Sequence, residues 1–248
     1  MDSSTRRNRA IWEAAARKYV DEHDELLEEA RTGSSLFPAE AALLEPLLRD
    51  GPLVVHLQSG HGLDDIALVR AGARRVVGVD YSATTNGAAQ RRADALGFAC
   101  TYVVAALPGA PLADGCAGLV YTGKGALIWQ PDIAAWARDA ARLLRPGGHL
   151  FVYEEHPAHP LWTWDLDEPR IRADRGYFDR SYLSDTFPGV GATVWLWTLG
   201  EIVTAVVEAG LTVRHLSEYA EPFWRAGGLD AAAFRGRLPN AFALVCSR

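Results

Sequence analysis

The sequence has few cysteines, few lysines and no long apolar run. Its 248 residues include three cysteines, which lie far apart and lack the spacing of metal ligands. We expect them to be small buried side chains, so neither a disulfide framework nor a zinc site is predicted. A membrane-spanning helix needs about 20 consecutive apolar residues, and no stretch approaches that length. The charged N-terminus lacks the apolar core of a secretory signal. A cytoplasmic protein without a membrane partner is therefore expected.

Clustered positive charge is also missing. The net charge is −6, only two lysines occur, and the arginines are scattered along the chain. Because neutralising a phosphate backbone requires clustered cations, nucleic acid is not expected as a partner. The acidic stretch at 165–168 is interpreted as a solvated turn, so no metal is predicted, with a magnesium-assisted enzyme as the alternative.

What the sequence does have is a regular alternation of strand and helix patterns. Helical segments with apolar residues at spacings of three and four separate short apolar runs, as in βαβ crossovers. We predict an α/β fold with a doubly wound, mostly parallel seven-stranded sheet, an antiparallel C-terminal strand and helices on both faces. The predicted strands cover residues 53–58, 75–80, 99–105, 118–122, 149–155, 211–219 and 240–248.

The candidate site lies at the carboxyl ends of the first two strands, where open parallel sheets bind ligands. Gly60 and Gly62 follow the first strand and allow a ligand to approach the next helix. Asp80 ends the second strand, 20 residues after Gly60, and its carboxylate can accept hydrogen bonds from both hydroxyls of a ribose. These features predict an adenosine-containing cofactor without choosing between a dinucleotide and S-adenosylmethionine.

An ordered set of motifs between residues 53 and 155 makes that choice. The motifs are VDYS at 79–82, PLAD at 111–114, LVY at 119–121 and LLRPGGHLF at 143–151. In this order they resemble the class I methyltransferase family. The resemblance implies a Rossmann-like fold, S-adenosylmethionine as cofactor and methyl transfer to a nitrogen, oxygen or carbon atom of a small molecule, with specialised metabolism as the expected setting.

Three positions depart from the family pattern. His56 replaces the usual acidic residue of the first strand, Gln58 replaces the first loop glycine, and Ala106 replaces an aspartate that contacts adenine. They keep a second hypothesis open, namely a non-catalytic protein that binds an adenosine cofactor. A Rossmann oxidoreductase is a third, although its three spaced glycines and a tyrosine–lysine pair are missing.

The resemblance also implies which residues contact the cofactor. An aromatic residue of the N-terminal helix would fold over it, and the chain after the fourth strand would line its methionine half. Lys124 either meets the cofactor carboxylate or is a surface lysine. The predicted cofactor residues are Tyr19, Gly60, His61, Gly62, Asp80, Tyr81, Ala106, Leu107, Thr122 and Gly123.

Methyl transfer displaces an already activated leaving group, so the enzyme mainly aligns and desolvates the acceptor. If the acceptor must lose a proton, His156 is the candidate general base and His159 the second candidate. Glu155 or Glu154 would orient the His156 ring or bind a cationic substrate. A purely structural role is the alternative for His156, and core packing is the alternative for each tryptophan. The predicted substrate contacts are Trp12, His159, Trp162 and Trp164.

We predict one domain over residues 1–248. Its first part contains an amphipathic helix from about Asn8 to Ala30 and a second helix over 39–48. A long aromatic stretch later interrupts the strand–helix alternation, as lids and binding loops do. The predicted segments are a helical lid (1–50), a cofactor-binding half (51–155), an aromatic substrate lid (156–198) and a C-terminal helix and strand pair (199–248).

Overall fold

The computed structural model describes residues 3–162, 170–221 and 236–248. Its strands are β1 (Leu53–Leu57), β2 (Arg75–Asp80), β3 (Cys100–Val104), β4 (Ala117–Gly123), β5 (Leu144–Glu155), β6 (Ser181–Leu183), β7 (Thr193–Trp195), β8 (Thr212–Tyr219) and β9 (Ala241–Ser247). Its helices are α1 (Ser3–Ala15), α2 (Arg17–Asp21), α3 (His23–Thr32), α4 (Pro38–Leu48), α5 (Leu63–Arg70), α6 (Ala83–Leu96), α7 (Ile133–Leu143) and α8 (Leu199–Glu208).

The main sheet has seven strands in the order β3-β2-β1-β4-β5-β9-β8. Strands β1 to β5 pair in parallel, whereas β9 is antiparallel to both β5 and β8. This topology confirms the predicted fold class. It also brings the carboxyl ends of β1, β2, β4 and β5 to one edge, which is the edge where such sheets bind ligands.

Helices cover both faces of the sheet because the central strands are apolar on both sides. One buried cluster includes Trp136 of α7 and Val206 of α8, and the other includes Leu44 of α4 and Ile66 of α5. No helix of the described residues is long and apolar enough to span a bilayer.

The N-terminal region corrects one prediction. The single helix expected from about Asn8 to Ala30 is three helices, α1 to α3, that break near Ala16 and Glu22. Glu22 has a non-helical backbone (φ −88°, ψ 24°), and Arg92 of α6 donates to the backbone oxygen of Tyr19 (3.0 Å) just before the break. The breaks preserve the amphipathic spacing, so periodicity alone does not reveal them.

The aromatic stretch at 156–198 forms the antiparallel hairpin β6–β7. Asn8 of α1 is buried against it, where its amide donates to the Thr193 oxygen and accepts from the Thr193 N–H, both at 2.8 Å. Helix α1 thereby holds the hairpin. Other side chains here face solvent, including Phe178, which is 87% exposed, and Val190, which is 82% exposed.

Candidate active site

The turn after β1 depends on two glycines for different reasons. Gly60 (φ 55°) and Gly62 (φ 81°) both have left-handed backbones, which glycine adopts without strain. A Cβ at Gly62 would lie 2.5 Å from the Tyr102 hydroxyl and 2.7 Å from the Ala89 Cβ, whereas one at Gly60 would meet no described atom within 4 Å. Gly62 therefore permits close packing, and Gly60 leaves open space at the sheet edge.

The Asp80 carboxylate lies at that open space. It accepts hydrogen bonds from the backbone N–H groups of Ser82 (2.8 Å) and Gly60 (3.3 Å), and burial raises its pKa. Ser82 caps α6 by accepting from the Thr85 N–H (3.1 Å), so Asp80 is not needed as the helix cap. Each carboxylate oxygen retains a lone pair for a further donor.

Tyr19 of α2 and His61 meet beside this carboxylate, as the prediction requires. Their ring centroids are 5.1 Å apart, and the buried Arg92 donates to the backbone oxygens of Tyr19 (3.0 Å) and His61 (2.6 Å). Burial lowers the pKa of His61 to about 4 and raises the pKa of Tyr19 to about 12. Both side chains are therefore neutral at pH 7, as suits the wall of an uncharged nucleoside pocket.

The other predicted cofactor residues have mixed surroundings. Tyr81 and Ala106 are half-buried, and Leu107 is buried. The Thr122 hydroxyl donates to the Leu57 oxygen (3.0 Å) and so links β4 to β1. A Cβ at Gly123 would lie 2.5 Å from the Tyr153 oxygen, so this glycine permits the close approach of β4 to β5.

A buried charged cluster next to the edge was not predicted. The Lys124 ammonium lies 2.6 Å from an Asp64 oxygen and 3.3 Å from a Glu40 oxygen, and it donates to the Ser35 backbone oxygen (2.9 Å). The Tyr121 hydroxyl donates to the other Glu40 oxygen (2.5 Å). Lys124 is thus neither a surface lysine nor available to the cofactor carboxylate, and both interpretations offered for it were wrong.

The groups of this cluster shift one another's ionisation. Burial raises the pKa of Glu40 and opposes ionisation of Lys124, but Asp64 and Glu40 keep the pKa of Lys124 above its usual value. Lys124 in turn lowers the pKa of Asp64 against the effect of burial. The cluster ties α4, α5 and β4 together beneath the site.

His56 also has a local explanation. Its Nδ1 lies 2.6 Å from an Asp65 oxygen, and both side chains are buried. The departure at His56 thus brings a buried carboxylate of the next helix, α5, against the first strand.

Glu154, near the end of β5, fixes the loop that follows β4. Its carboxylate accepts from the N–H groups of Gly125 (2.7 Å), Ala126 (2.7 Å) and Leu127 (3.0 Å). Burial raises its pKa to about 7, although these N–H groups act to lower it. Gln58, in the turn after β1, donates to the Ala126 oxygen of the same loop. The loop after β4 is therefore held both by Glu154 and by the turn after β1.

His156 follows β5 but is engaged on both ring nitrogens. Its Nε2 lies 2.8 Å from a Glu218 oxygen, and its Nδ1 accepts from the Ala158 N–H (3.0 Å). Burial lowers its pKa, although Glu218 acts to raise it. Neither nitrogen is left to take a substrate proton, which argues against the predicted role as general base and favours the structural alternative.

The structure separates the remaining predicted residues. Glu155 and His159 are in close contact through a carboxylate oxygen and the ring Nδ1. Trp12 packs edge-on against Trp129 (5.5 Å between centroids) and Phe187 (5.3 Å). Trp162 forms an isolated β-bridge with residue 171, and Trp164 lies outside the described residues.

A small cavity, with room for about one water molecule, opens between the loops that follow β4 and β5. Apolar and aromatic side chains form most of its wall, and Glu155 and His156 contribute polar atoms. Its lining residues are Leu127, Ile128, Glu154, Glu155, His156, Pro157, Pro160, Trp195, Leu196, Trp197, Ile202 and Phe242. Within the described part of the chain, no group of three or more histidine, cysteine or carboxylate side chains could hold a metal ion.

This sheet order, with an acidic residue ending β2, is the architecture of nucleotide-cofactor-binding α/β proteins. Residues 54–148 match a family described as a methyltransferase domain. An S-adenosylmethionine-dependent methyltransferase from Mesorhizobium loti is similar, with 25% identity, a TM-score of 0.64, and coverage of 82% of this chain and 96% of that one. No curated protein matches the sequence.

More distant structures share the fold. A putative S-adenosylmethionine-dependent methyltransferase from Listeria monocytogenes has a TM-score of 0.66 at 16% identity, over 84% of this chain and 96% of that one. Geranyl diphosphate C-methyltransferase from Streptomyces coelicolor has a TM-score of 0.59 at 14% identity, over 85% of this chain and 80% of that one. Over residues 54–148 the chain matches the methyltransferase-domain family, and its fold is that of S-adenosylmethionine-dependent methyltransferases. The predicted family is borne out by this match over residues 54–148.

Proposed function

We propose that the chain binds S-adenosylmethionine across the ends of β2, β1 and β4 and transfers its methyl group to a small molecule. The observation that carries the proposal is the Asp80 carboxylate, which faces the open space at Gly60 with lone pairs to spare. A ribose diol supplies two donors to one carboxylate, and this charge-assisted pair fits that geometry. Tyr19 and His61 would cover the nucleoside.

The cavity beside the loop after β4 is the proposed acceptor site. S-adenosylmethionine supplies a methyl group on a positively charged sulfur, so the protein has to hold the acceptor in line and exclude water. The walls contributed by Trp195, Trp197 and Phe242 suit a largely apolar molecule. Glu154 and Glu155 both line that wall, and Glu155, in contact with His159, is the carboxylate that we place beside a proton or a cationic group of the acceptor.

The segment boundaries remain part of this proposal. Residues 1–50 and 156–198 would enclose the site from two sides, and Asn8, bound to Thr193, would join these two covers. Residues 51–155 would bind the cofactor, and 199–248 would complete the sheet. A cytoplasmic location and a role in biosynthesis stay predictions.

Titration calorimetry with S-adenosylhomocysteine and with NADH tests the cofactor. We expect S-adenosylhomocysteine to bind with one site per chain and NADH not to bind. Binding of NADH alone would favour the oxidoreductase hypothesis. Transfer of label from methyl-labelled S-adenosylmethionine to a panel of apolar nitrogen, oxygen and carbon acceptors tests catalysis. Cofactor binding without transfer to any acceptor would favour the non-catalytic alternative.

A further inference from the structure

Gln58 has a backbone conformation that its side chain does not favour. Its φ is 61°, in the left-handed region, and Lys124 is the other described non-glycine residue with a positive φ. A non-glycine residue persists there only when its surroundings enforce it, and such outliers concentrate at functional sites. Gln58 follows β1 and Lys124 follows β4, so the two outliers end neighbouring strands at the candidate site.

The Gln58 side chain bridges the ends of these strands. Its Nε2 donates to the Ala126 backbone oxygen at 2.5 Å, and Glu154 holds the Ala126 N–H at 2.7 Å. The amide plane is therefore fixed at both ends: by the turn after β1 and by a loop that is itself anchored. A terminal amide held in this way presents its oxygen in one direction.

The amide oxygen of Gln58 has no partner among the described residues. Oε1 is buried yet accepts no hydrogen bond. A buried carbonyl without a donor costs free energy, so a donor is expected to reach it when the site is filled. That donor belongs to a ligand at the β1–β4 junction.

The proposed cofactor offers only a few groups that could donate a hydrogen bond to Gln58 Oε1. S-adenosylmethionine carries three sets of N–H or O–H donors: the adenine amino group, the ribose hydroxyls and the α-ammonium. If the ribose binds Asp80 at the end of β2, the two ends of the cofactor extend toward β3 on one side and toward β1 and β4 on the other, and we place the amino acid on the side of β1 and β4. The ammonium is then the donor that lies at the junction of β1 and β4.

We infer that Gln58 Oε1 accepts a hydrogen bond from the α-ammonium of the cofactor, which makes Gln58 a specificity-determining residue for the amino-acid half. The inference rests on the proposed function. It assigns a role to the side chain that replaces the family's glycine, and it explains why a strained glutamine is retained there. An ammonium donor strengthens such a bond because it is charged.

Calorimetry with two ligands tests this role. S-adenosylhomocysteine carries the amino acid, whereas 5′-methylthioadenosine carries the same nucleoside and sulfur without it. In Gln58→Gly, which suits the left-handed backbone, we expect affinity for S-adenosylhomocysteine to fall about tenfold and affinity for methylthioadenosine to stay unchanged. Gln58→Ala, which keeps the strain but loses the amide, should show the same selective loss.

A deamino analogue of S-adenosylhomocysteine sharpens the result. It should bind the wild type and Gln58→Gly equally, because the donor to Oε1 is missing in both cases. Equal losses for all three ligands would mean that Gln58 only shapes the loop, and would overturn the inference. Wild-type protein that binds none of them would overturn the proposed function itself, and this inference with it.

Discussion

The cofactor region and the aromatic region of this chain are stabilised in different ways. Between β1 and β5, buried polar groups find partners nearby: Asp80 on two backbone N–H groups, and Lys124 between two carboxylates. The aromatic region at 156–198 instead exposes large apolar side chains such as Phe178. The first region is held by ion pairs and hydrogen bonds among its own residues, and Gln58 Oε1 is one of its buried atoms that lacks such a partner. The second takes its position from other parts of the chain.

Helix α1 is one of those parts. Asn8 binds both backbone groups of Thr193, and Trp12 packs against Phe187. The Asn8 side chain thus makes the two backbone hydrogen bonds at Thr193 that a further neighbouring strand would otherwise make. The difference teaches that the match to the methyltransferase family lies in the first region, whereas the proposed acceptor cavity takes part of its wall, Trp195 and Trp197, from the second. The four predictions below test this division.

The largest effect is expected from removing the buried cation of the cofactor region. Lys124→Met leaves Glu40 and Asp64 facing each other without a positive charge, which should lower the free energy of unfolding by about 3 to 5 kcal/mol. Urea denaturation followed by circular dichroism measures this. Lys18→Met is the matched control, because Lys18 is 55% exposed and its change should stay within about 0.5 kcal/mol. Similar changes in both variants would contradict a stabilising role for the buried cation.

The next effect concerns the cofactor itself. Asp80→Asn keeps the shape but removes the charge that grips the ribose, so affinity for S-adenosylhomocysteine should fall about 100-fold, or about 2.7 kcal/mol. Calorimetry measures the affinity, and thermal unfolding verifies the fold. Asp174→Asn in the aromatic region, where Asp174 pairs with Arg172 and Arg175, should leave the affinity unchanged. If Asp80→Asn bound S-adenosylhomocysteine with wild-type affinity, the proposed cofactor site at Asp80 would be contradicted.

A smaller effect should separate the acceptor from the cofactor. Trp195→Ala removes part of the cavity wall, so KM for the acceptor should rise about tenfold, which corresponds to about 1.4 kcal/mol. Affinity for S-adenosylhomocysteine should not change. Steady-state kinetics with an acceptor found in the panel provides the measurement. Phe178→Ala also deletes an aromatic side chain in this region, but Phe178 does not line the cavity, so KM should not change. An equal rise of KM in Phe178→Ala would argue against the cavity as the acceptor site.

The smallest effect is a pH dependence in the cofactor region. Burial lowers the pKa of His61 from 6.5 to about 4, so the unfolded chain gains a proton at a higher pH than the folded one. The stability that His61 contributes is complete above pH 6.5 and is lost as pH falls toward 4. Between about pH 7 and 5.5 this loss should be about 1 kcal/mol. Urea denaturation at both pH values should show that His61→Gln loses about 1 kcal/mol less unfolding free energy than the wild type does between pH 7 and 5.5. An identical loss in the two proteins would contradict the role of His61.

Much of the fold was open to prediction because it follows from local patterns. Short apolar runs alternating with helices define the parallel order, and Asp80 is recognisable from its place at the end of the second strand. The breaks between α1, α2 and α3 were missed since they preserve the amphipathic spacing. Near the second break, the Tyr19 backbone oxygen accepts from Arg92, a residue far along the chain.

The buried charges were harder to predict for a physical reason. Lys124 is 60 positions from Asp64, and His156 meets Glu218 on another strand, so only the folded sheet brings these groups together. One signal was available. Glu40 precedes Leu44 and Leu48 at intervals of four, so it lies on the buried stripe of α4. A carboxylate on an apolar stripe indicates a buried partner.

The central claim is that cofactor and acceptor meet at the loop after β4, with the nucleoside on Asp80 and the acceptor in the aromatic cavity. A crystal structure of the complex with S-adenosylhomocysteine tests it most directly. We predict ribose hydroxyls within hydrogen-bond distance of Asp80 and a sulfur atom that faces the cavity beside Glu155 and Trp195. A sulfur atom enclosed by core side chains, with no path to that cavity, would contradict the account.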